Sequence, residues 1–266
     1  MLNILRSLKI IYSMRHRLAD GVWHDINQRY VGSLFGVIWV ILFPLLQLSI
    51  YAALYTIIFK VRPSGLTEYG YVILVFSGLV PLLTFNEIVT ATTNSLSMNK
   101  NLLLNTVFPS ELIPLRAALA AQVPGLFGLL ITVTIGLFLG STNWQVLLVI
   151  PVFWGLLFMF AVGIGWILSL LSLVARDIQH GLGIVLITTM VLSPFAYTPE
   201  MVPSSLKVVI YFNPLSYFVL SFQQLICYGI WPDWLNVMGA VFLALSSFLV
   251  GFAFFQRLKH IFFDYS

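Results

Sequence analysis

Residues 34–59 read LFGVIWVILFPLLQLSIYAALYTIIF, twenty-six positions without a charged side chain. An α-helix rises about 1.5 Å per residue, so this run would reach about 39 Å. The apolar core of a bilayer is roughly 30 Å thick. A soluble core helix has no reason to be so long and so uniformly apolar. The stretch therefore predicts a helix that crosses a membrane, and the rest of the chain is read around it.

Composition agrees with that reading. Apolar residues make up 60% of the 266 residues, and charged residues only 8%. A soluble domain carries about 25% charge, so an ordinary water-soluble fold is excluded. The formal net charge of +4 raises nucleic acid as a partner. The basic residues, however, sit at the ends of apolar runs, which points to membrane orientation and to no nucleic acid. A single cysteine, Cys227, rules out an internal disulfide. Residues 1–33 are basic but lead into no short apolar stretch with a small-residue cleavage site. The first span is expected to direct insertion itself.

Six apolar runs are long enough to cross, near 34–59, 71–92, 113–140, 146–174, 181–197 and 235–256. Six crossings leave both termini on one side. With both inside, the inner segments hold Arg6, Lys9, Arg15, Arg17, Arg29, Lys100, Arg116, Arg176, Arg257 and Lys259; the outer ones hold Lys60, Arg62 and Lys207. The excess of inner cations fixes both termini in the cytoplasm. The expected fold is thus an all-α integral membrane protein, one transmembrane domain over 1–266.

Three segments flank the spans. In 1–33, Ile4, Leu5, Leu8, Ile11 and Tyr12 share one helical face, and Leu18, Val22, Ile26 and Tyr30 follow at four-residue spacing. A basic amphipathic helix of this kind lies in the membrane surface; a plain basic anchor fits as well. Residues 99–116, NKNLLLNTVFPSELIPLR, form an inner loop. Ser110 is expected to cap the third span's helix, with Glu111 in its first turn. The loop's apolar patch suits a small helix that another protein presses on, or a simple connector. Residues 198–234 lie outside, and within them 205–228 is cut by Asn213-Pro214 into two halves, each too short to span. They read as two short re-entrant helices, tolerated only where protein or water covers the freed backbone groups. An ordinary outer loop with an interfacial helix is the alternative.

Signatures of catalysis are scarce. The dipeptide Gly-Lys never occurs, so no phosphate-binding P-loop is encoded. His16, His24, His180 and His260 fall at span ends without metal-pair spacing, so no metal site and no catalytic residue is expected. Glu87 lies inside the second run, where an ionisable group is a functional candidate by default; its closeness to the inner interface favours plain solvation. Phe35, Trp39, Phe43, Gln47, Tyr51, Tyr55 and Phe59 recur every four residues. Each step drifts about 40° around a straight helix, so they cannot face one partner unless Pro44 bends or rewinds it. They read either as lipid and packing contacts or as the lining of a passage that suits sugar rings. Gly32-x-x-x-Gly36 and Gly136-x-x-x-Gly140 are candidate close-packing motifs.

Taken in order, these residues resemble a known family. DINQRYVGSLFGVIWVILFPLLQLSIY at 25–51, VFPSELIPL at 107–115, ARDIQHGLGIVL at 175–186, SPFAYTPEMVP at 193–203 and YFNPLSYF at 211–218 resemble permease subunits of bacterial polysaccharide-exporting ABC transporters. The matching positions in the first segment are Asp25, Arg29, Tyr30, Gly32, Ser33, Gly36, Trp39, Pro44 and Leu45. The resemblance implies a homodimer of six-span subunits in the bacterial inner membrane, paired with two copies of a cytosolic ATPase. ATP and Mg would bind that partner, with no cofactor on this chain and no enzymatic activity of its own. The implied cargo is an undecaprenyl-linked glycan, O-antigen above capsule or teichoic acid; another lipid or drug is the alternative, and a lipid-modifying membrane enzyme a remoter one. By the same resemblance, Lys100, Asn101, Phe108, Pro109 and Glu111 in the coupling loop 99–112 would meet the ATPase, with Arg176 and Asp177 after the fourth span. Asp25, Arg29 and Tyr30 would form a gate helix. Phe35, Trp39, Phe43, Tyr51 and Tyr55 would line the channel, and Tyr197, Asn213 and Pro214 the outer exit. Gln223 and Gln224 stand where many relatives carry an Arg, and Asn105 where many carry a Lys.

Overall fold

The computed structural model describes residues 14–58, 66–99, 109–175 and 177–263. Among these, every regular element is helical. We number the helices α1 (Arg15–Tyr30), α2 (Trp39–Ala53), α3 (Glu68–Met98), α4 (Leu112–Ala121), α5 (Val123–Phe138), α6 (Ile150–Val174), α7 (Asp177–Leu192), α8 (Lys207–Phe212), α9 (Pro214–Ile226) and α10 (Trp234–Phe263).

Five helical stretches are long and apolar enough to cross a membrane: Gly36–Ile58, Glu68–Met98, Leu112–Phe138, Trp144–Val174 and Trp234–Lys259. Each overlaps one of the expected runs. The remaining run, 181–197, folds differently from expectation. Helix α7 covers Asp177–Leu192, 16 residues, about 24 Å, and the chain then turns at Ser193-Pro194. The stretch from Gln179 to Ala196 nevertheless reaches from one end of α3 to the other. Gln179 Nε2 donates to Ser97 Oγ at 3.2 Å, and Tyr71 Oη donates to the Ala196 carbonyl at 2.9 Å.

Helix α3 is the centre of the bundle. It packs on α6, α4, α9 and α5 and is buried over most of its surface, which is why its apolar residues show no single face. Its hydroxyls return to their own helix: Thr84 to Val80 O, Thr92 to Ile88 O, Thr93 to Val89 O. That pairing lets polar side chains sit at membrane depth without orphaned groups. By contrast α2 keeps an apolar face uncovered, with Ile38, Ile41, Phe43, Leu46 and Ile50 exposed, and α7 does the same with Ile184, Val185, Ile187 and Val191.

The third span is broken in a way the hydropathy run conceals. Gln122 ends α4 and caps α5, because Pro124 lacks the N–H that would continue the ladder. The freed region is held by Trp154, whose Nε1 donates to Gln122 Oε1 at 3.2 Å. Ser110 does not cap α4 as expected. Glu111 occupies the N-cap without a side-chain capping bond, and the Ser110 hydroxyl leans on the Glu111 carboxylate at 3.5 Å instead.

The two glycine motifs singled out in the sequence are also corrected. Gly32, Gly36 and Gly140 adopt left-handed φ of 81°, 52° and 72°, a conformation that favours glycine; they form turns rather than helix contacts. The close helix crossing lies elsewhere. A side chain at Gly163 would collide with the Ser247 backbone, and one at Gly251 with the Gly163 carbonyl. Helices α6 and α10 meet there backbone to backbone, the geometry that small residues permit.

Helices α8 and α9 form a helix–break–helix. Asn213 Oδ1 accepts from Leu215 N at 3.0 Å, and its Nδ2 donates to Ser193 Oγ at 2.8 Å. Pro214 takes the first helical position, where its missing N–H is no loss. Just past the break, Phe218 stacks on Phe160 at 5.4 Å, and Phe160 on Phe85 at 5.3 Å. At the far end, Ile226 O accepts from Thr142 Oγ1 at 2.6 Å, in the loop joining α5 to α6.

Candidate functional site

Helix α1 is bound to the bundle by its apolar ladder and by two ion pairs. Leu18 and Ile26 are buried; Val22 and Tyr30 pack with Ile26 against Val40, Ala120, Val123 and Phe127. Val22, Ile26 and Tyr30 of this ladder therefore pack on protein. Asp25 Oδ2 lies 2.8 Å from Arg116 Nε on α4, at ion-pair distance although the N–H is not aimed at it. Arg29 Nη1 donates to Glu87 Oε1 on α3 at 2.8 Å. Burial raises the Tyr30 phenol above its ordinary value; Arg29 lowers it and Glu87 raises it further. The apolar face of residues 4–12 lies outside the described residues.

Beside the Arg29–Glu87 pair opens a cavity of ≈ 470 Å³ between α1, α2, α3 and α5. Tyr30, Trp39, Phe43 and Gln47 line it from one side, and Asn86, Glu87 and Thr90 from another. Trp39, Phe43 and Gln47 are spaced by four, so they share one strip of α2. Asn86 Oδ1 is buried and accepts no hydrogen bond. Its place is beneath the cavity wall rather than open to it. Aromatic faces, the Gln47 and Thr90 side chains and one anchored charge pair make a site suited to a polyhydroxylated ligand with an anionic group.

The expected aromatic line divides in two. Phe35 sets its edge on Trp39 at 5.7 Å without itself lining the cavity. Tyr51 and Tyr55 instead pack on Phe195, at 6.3 and 6.2 Å, and Tyr55 on Tyr71 at 6.2 Å. The division follows from the helix itself. Pro44 is buried within α2, and the chain widens into a π-helical turn over Leu54–Ile58, so a fixed four-residue spacing stops marking one face.

The residues assigned to the outer exit gather at the far end of the bundle. Tyr197 Oη donates to Leu192 O at 2.9 Å, and burial raises its phenol. Asn213 and Pro214 form the α8–α9 break described above. Gln223, set aside in the sequence as a departure, is a structural tie: it is buried, and its Nε2 donates to Pro194 O at 2.9 Å and Phe195 O at 3.3 Å. Cys227 is buried, and burial pushes its thiol up to about 12. It is expected to resist maleimide at neutral pH in the folded protein and to react fully after denaturation; labelling in both states checks this.

Of the residues assigned to ATPase contact, Lys100, Asn101, Phe108 and Arg176 lie outside the described residues. Pro109 and Asp177 border those segments, Asp177 in the first turn of α7. Glu111 is turned inward. Its carboxylate meets Lys259 Nζ at 3.1 Å, with 6% and 18% of the side chains exposed, and its carbonyl accepts from Trp166 Nε1 at 3.1 Å. Burial works to raise its carboxyl, but its own backbone and the Lys259 ammonium outweigh that and hold it below the ordinary 4.5. Among the described residues, no three His, Cys, Asp or Glu side chains cluster to hold a metal ion.

The family profile described as ABC-2 type transporter matches residues 22–227, from α1 through the end of α9. The chain belongs to that family. It is a multi-pass membrane permease of the type-2 ABC class, a transporter's membrane subunit. Relatives of similar length carry a more specific name. An O-antigen export system permease protein RfbA from Klebsiella pneumoniae is 28% identical over 244 residues, 90% of each chain. A second from the same organism is 25% identical over 248 residues. One from Myxococcus xanthus is 23% identical over 238 residues, 86% of this chain and 87% of the relative.

Proposed function

We propose that this permease moves a lipid-linked polysaccharide, O-antigen on undecaprenyl diphosphate, outward across the bacterial inner membrane. Two copies of the chain would pair with two cytosolic ATPase subunits, which bind ATP and Mg. The uncovered apolar faces of α2 and α7 support pairing of two copies, since a passage needs walls from both. Six crossings with both termini cytoplasmic complete the reading. Helix α7 would serve as the fifth, because Gln179 and Ala196 meet opposite ends of the spanning helix α3. Helices α8 and α9 would dip from the outer side and return, with Asn213 at the turn.

The observation that carries the cargo assignment is the cavity beside Arg29. Its guanidinium offers a partner to a diphosphate, while Trp39, Phe43 and the Gln47 amide fit a sugar ring with its hydroxyls. The printed names of the relatives point the same way.

A strain lacking this chain is expected to lose its surface glycan and to regain it from a plasmid copy; unchanged surface glycan would remove the assignment. Trp39→Ala is expected to lower export about tenfold while membrane level stays within twofold, an effect of lost stacking. Surface glycan and protein level measured together decide this, and an equal fall in both would make Trp39 a packing residue.

A further inference from the structure

Arg116 joins the inner end of α3 to α1. Its Nε lies 2.8 Å from Asp25 on α1. Its Nη2 donates to Asn99 Oδ1 at 3.3 Å. Asn99 is the C-cap of α3 and the last described residue before the inner loop. Its Nδ2 is tied to Ser95 O at 2.8 Å, so the side chain is fixed to the end of α3. The contact with α1 extends along the stem: a Cβ at Gly21 would fall 2.6 Å from Arg116 Cδ. The backbone of α1 therefore rests on this side chain, which is only 14% exposed.

The other end of the inner loop is held differently. Glu111 is buried, paired with Lys259 of α10, and its carbonyl is bonded to Trp166 of α6. Asn99 is tied to the end of α3 through Ser95 and Leu96, and beyond that to Arg116. From that guanidinium the next contact is α1. One planar guanidinium thus donates to Asn99 through Nη2 and lies at ion-pair distance from Asp25 through Nε.

We infer that Arg116 is a positioning residue that relays movement of the inner loop to α1 through its paired contacts with Asn99 and Asp25. The inference rests on the functional reading above, in that an ATPase acts on the loop. In the relay, displacement of Asn99 shifts the guanidinium, and Asp25 and Gly21 carry the shift into α1. The neighbouring Arg29–Glu87 pair, at the mouth of the cavity, then moves with it. Coupling of this kind requires a physical chain of contacts with two arrangements, and Arg116 is the link that joins the loop end to α1.

The test uses the full chain with its ATPase partner in lipid vesicles. A single Trp23→Cys on α1, exposed, is labelled with a membrane-impermeant maleimide, with and without ATP plus vanadate. The wild-type background should show a nucleotide-dependent change in labelling rate. Arg116→Ala should shrink that change at least about fivefold while ATP hydrolysis per molecule stays within about twofold. A full response in Arg116→Ala overturns the relay. If Arg116→Ala fails to accumulate, Arg116→Lys is read in its place; loss of both proteins would assign Arg116 to packing and overturn the relay. Absence of any nucleotide response in the Arg116 background would overturn the functional reading itself, and the relay with it.

Discussion

A Gly251→Leu chain is expected to leave almost no folded protein in the membrane. Helices α6 and α10 make the most extensive helix–helix contact among the described residues. At its centre Gly163 and Gly251 face each other with Ser247 beside them, and Ser247 Oγ donates to Phe160 O at 2.9 Å. Any side chain at Gly251 would overlap backbone atoms of Gly163, and backbone cannot rotate away as a flexible side chain can. Lipid gives no hydrophobic drive to hold two helices together, so packing must do it. Separating the helices to admit Leu would also loosen Trp166 from Phe248 and Phe252, now at 5.0 and 5.3 Å. The cost should exceed the 1–3 kcal/mol typical of overpacking. Gly155, with open space around its Cβ position, is the control: Gly155→Leu should accumulate normally. Membrane level and thermal unfolding in detergent check both. Normal accumulation of Gly251→Leu would mean that α6 and α10 do not meet as described.

The membrane class and five candidate spans were legible because hydropathy needs only a count of apolar residues along the chain. The remaining run was harder, because α7 stops before Ser193-Pro194 and the rest of the run is irregular chain. The break at Gln122 was hidden for the same reason: Pro124 sits in an unbroken apolar run, and hydropathy does not register a missing N–H. The helix crossing was missed because Gly163 pairs with residues more than eighty positions away, whereas the flagged Gly32, Gly36 and Gly140 carry left-handed turns. Arg29, Tyr30, Trp39 and Phe43 line one cavity, whereas the resemblance gave the first two to a gate helix and the last two to a channel. Glu87 was noticed only as an acid at membrane depth, and its partner could not be read from spacing. Asn86 and Arg116 had no signal of their own, since their roles arise from neighbours on other helices.

Glu111→Ala is expected to destabilise the protein by about 3 kcal/mol, because it strands the Lys259 ammonium against the end of α4 with its partner removed. The pair itself should be replaceable. Glu111→Met combined with Lys259→Met should recover to within about 1 kcal/mol of wild type, since a buried ion pair and an apolar pair of similar volume are often equivalent. The same pair sets a pH dependence. The Glu111 carboxyl titrates below its ordinary 4.5 in the folded protein, so the folded state favours the charged form. Its stabilisation is fully present above pH 4.5 and is lost as the pH falls through the lower folded value. Thermal unfolding from pH 7 downward should therefore show a drop below about pH 4.5 in wild type that the double-Met chain loses in part. If Glu111→Ala unfolds like wild type at pH 7, the carboxylate is not the tie that joins the inner loop to α10.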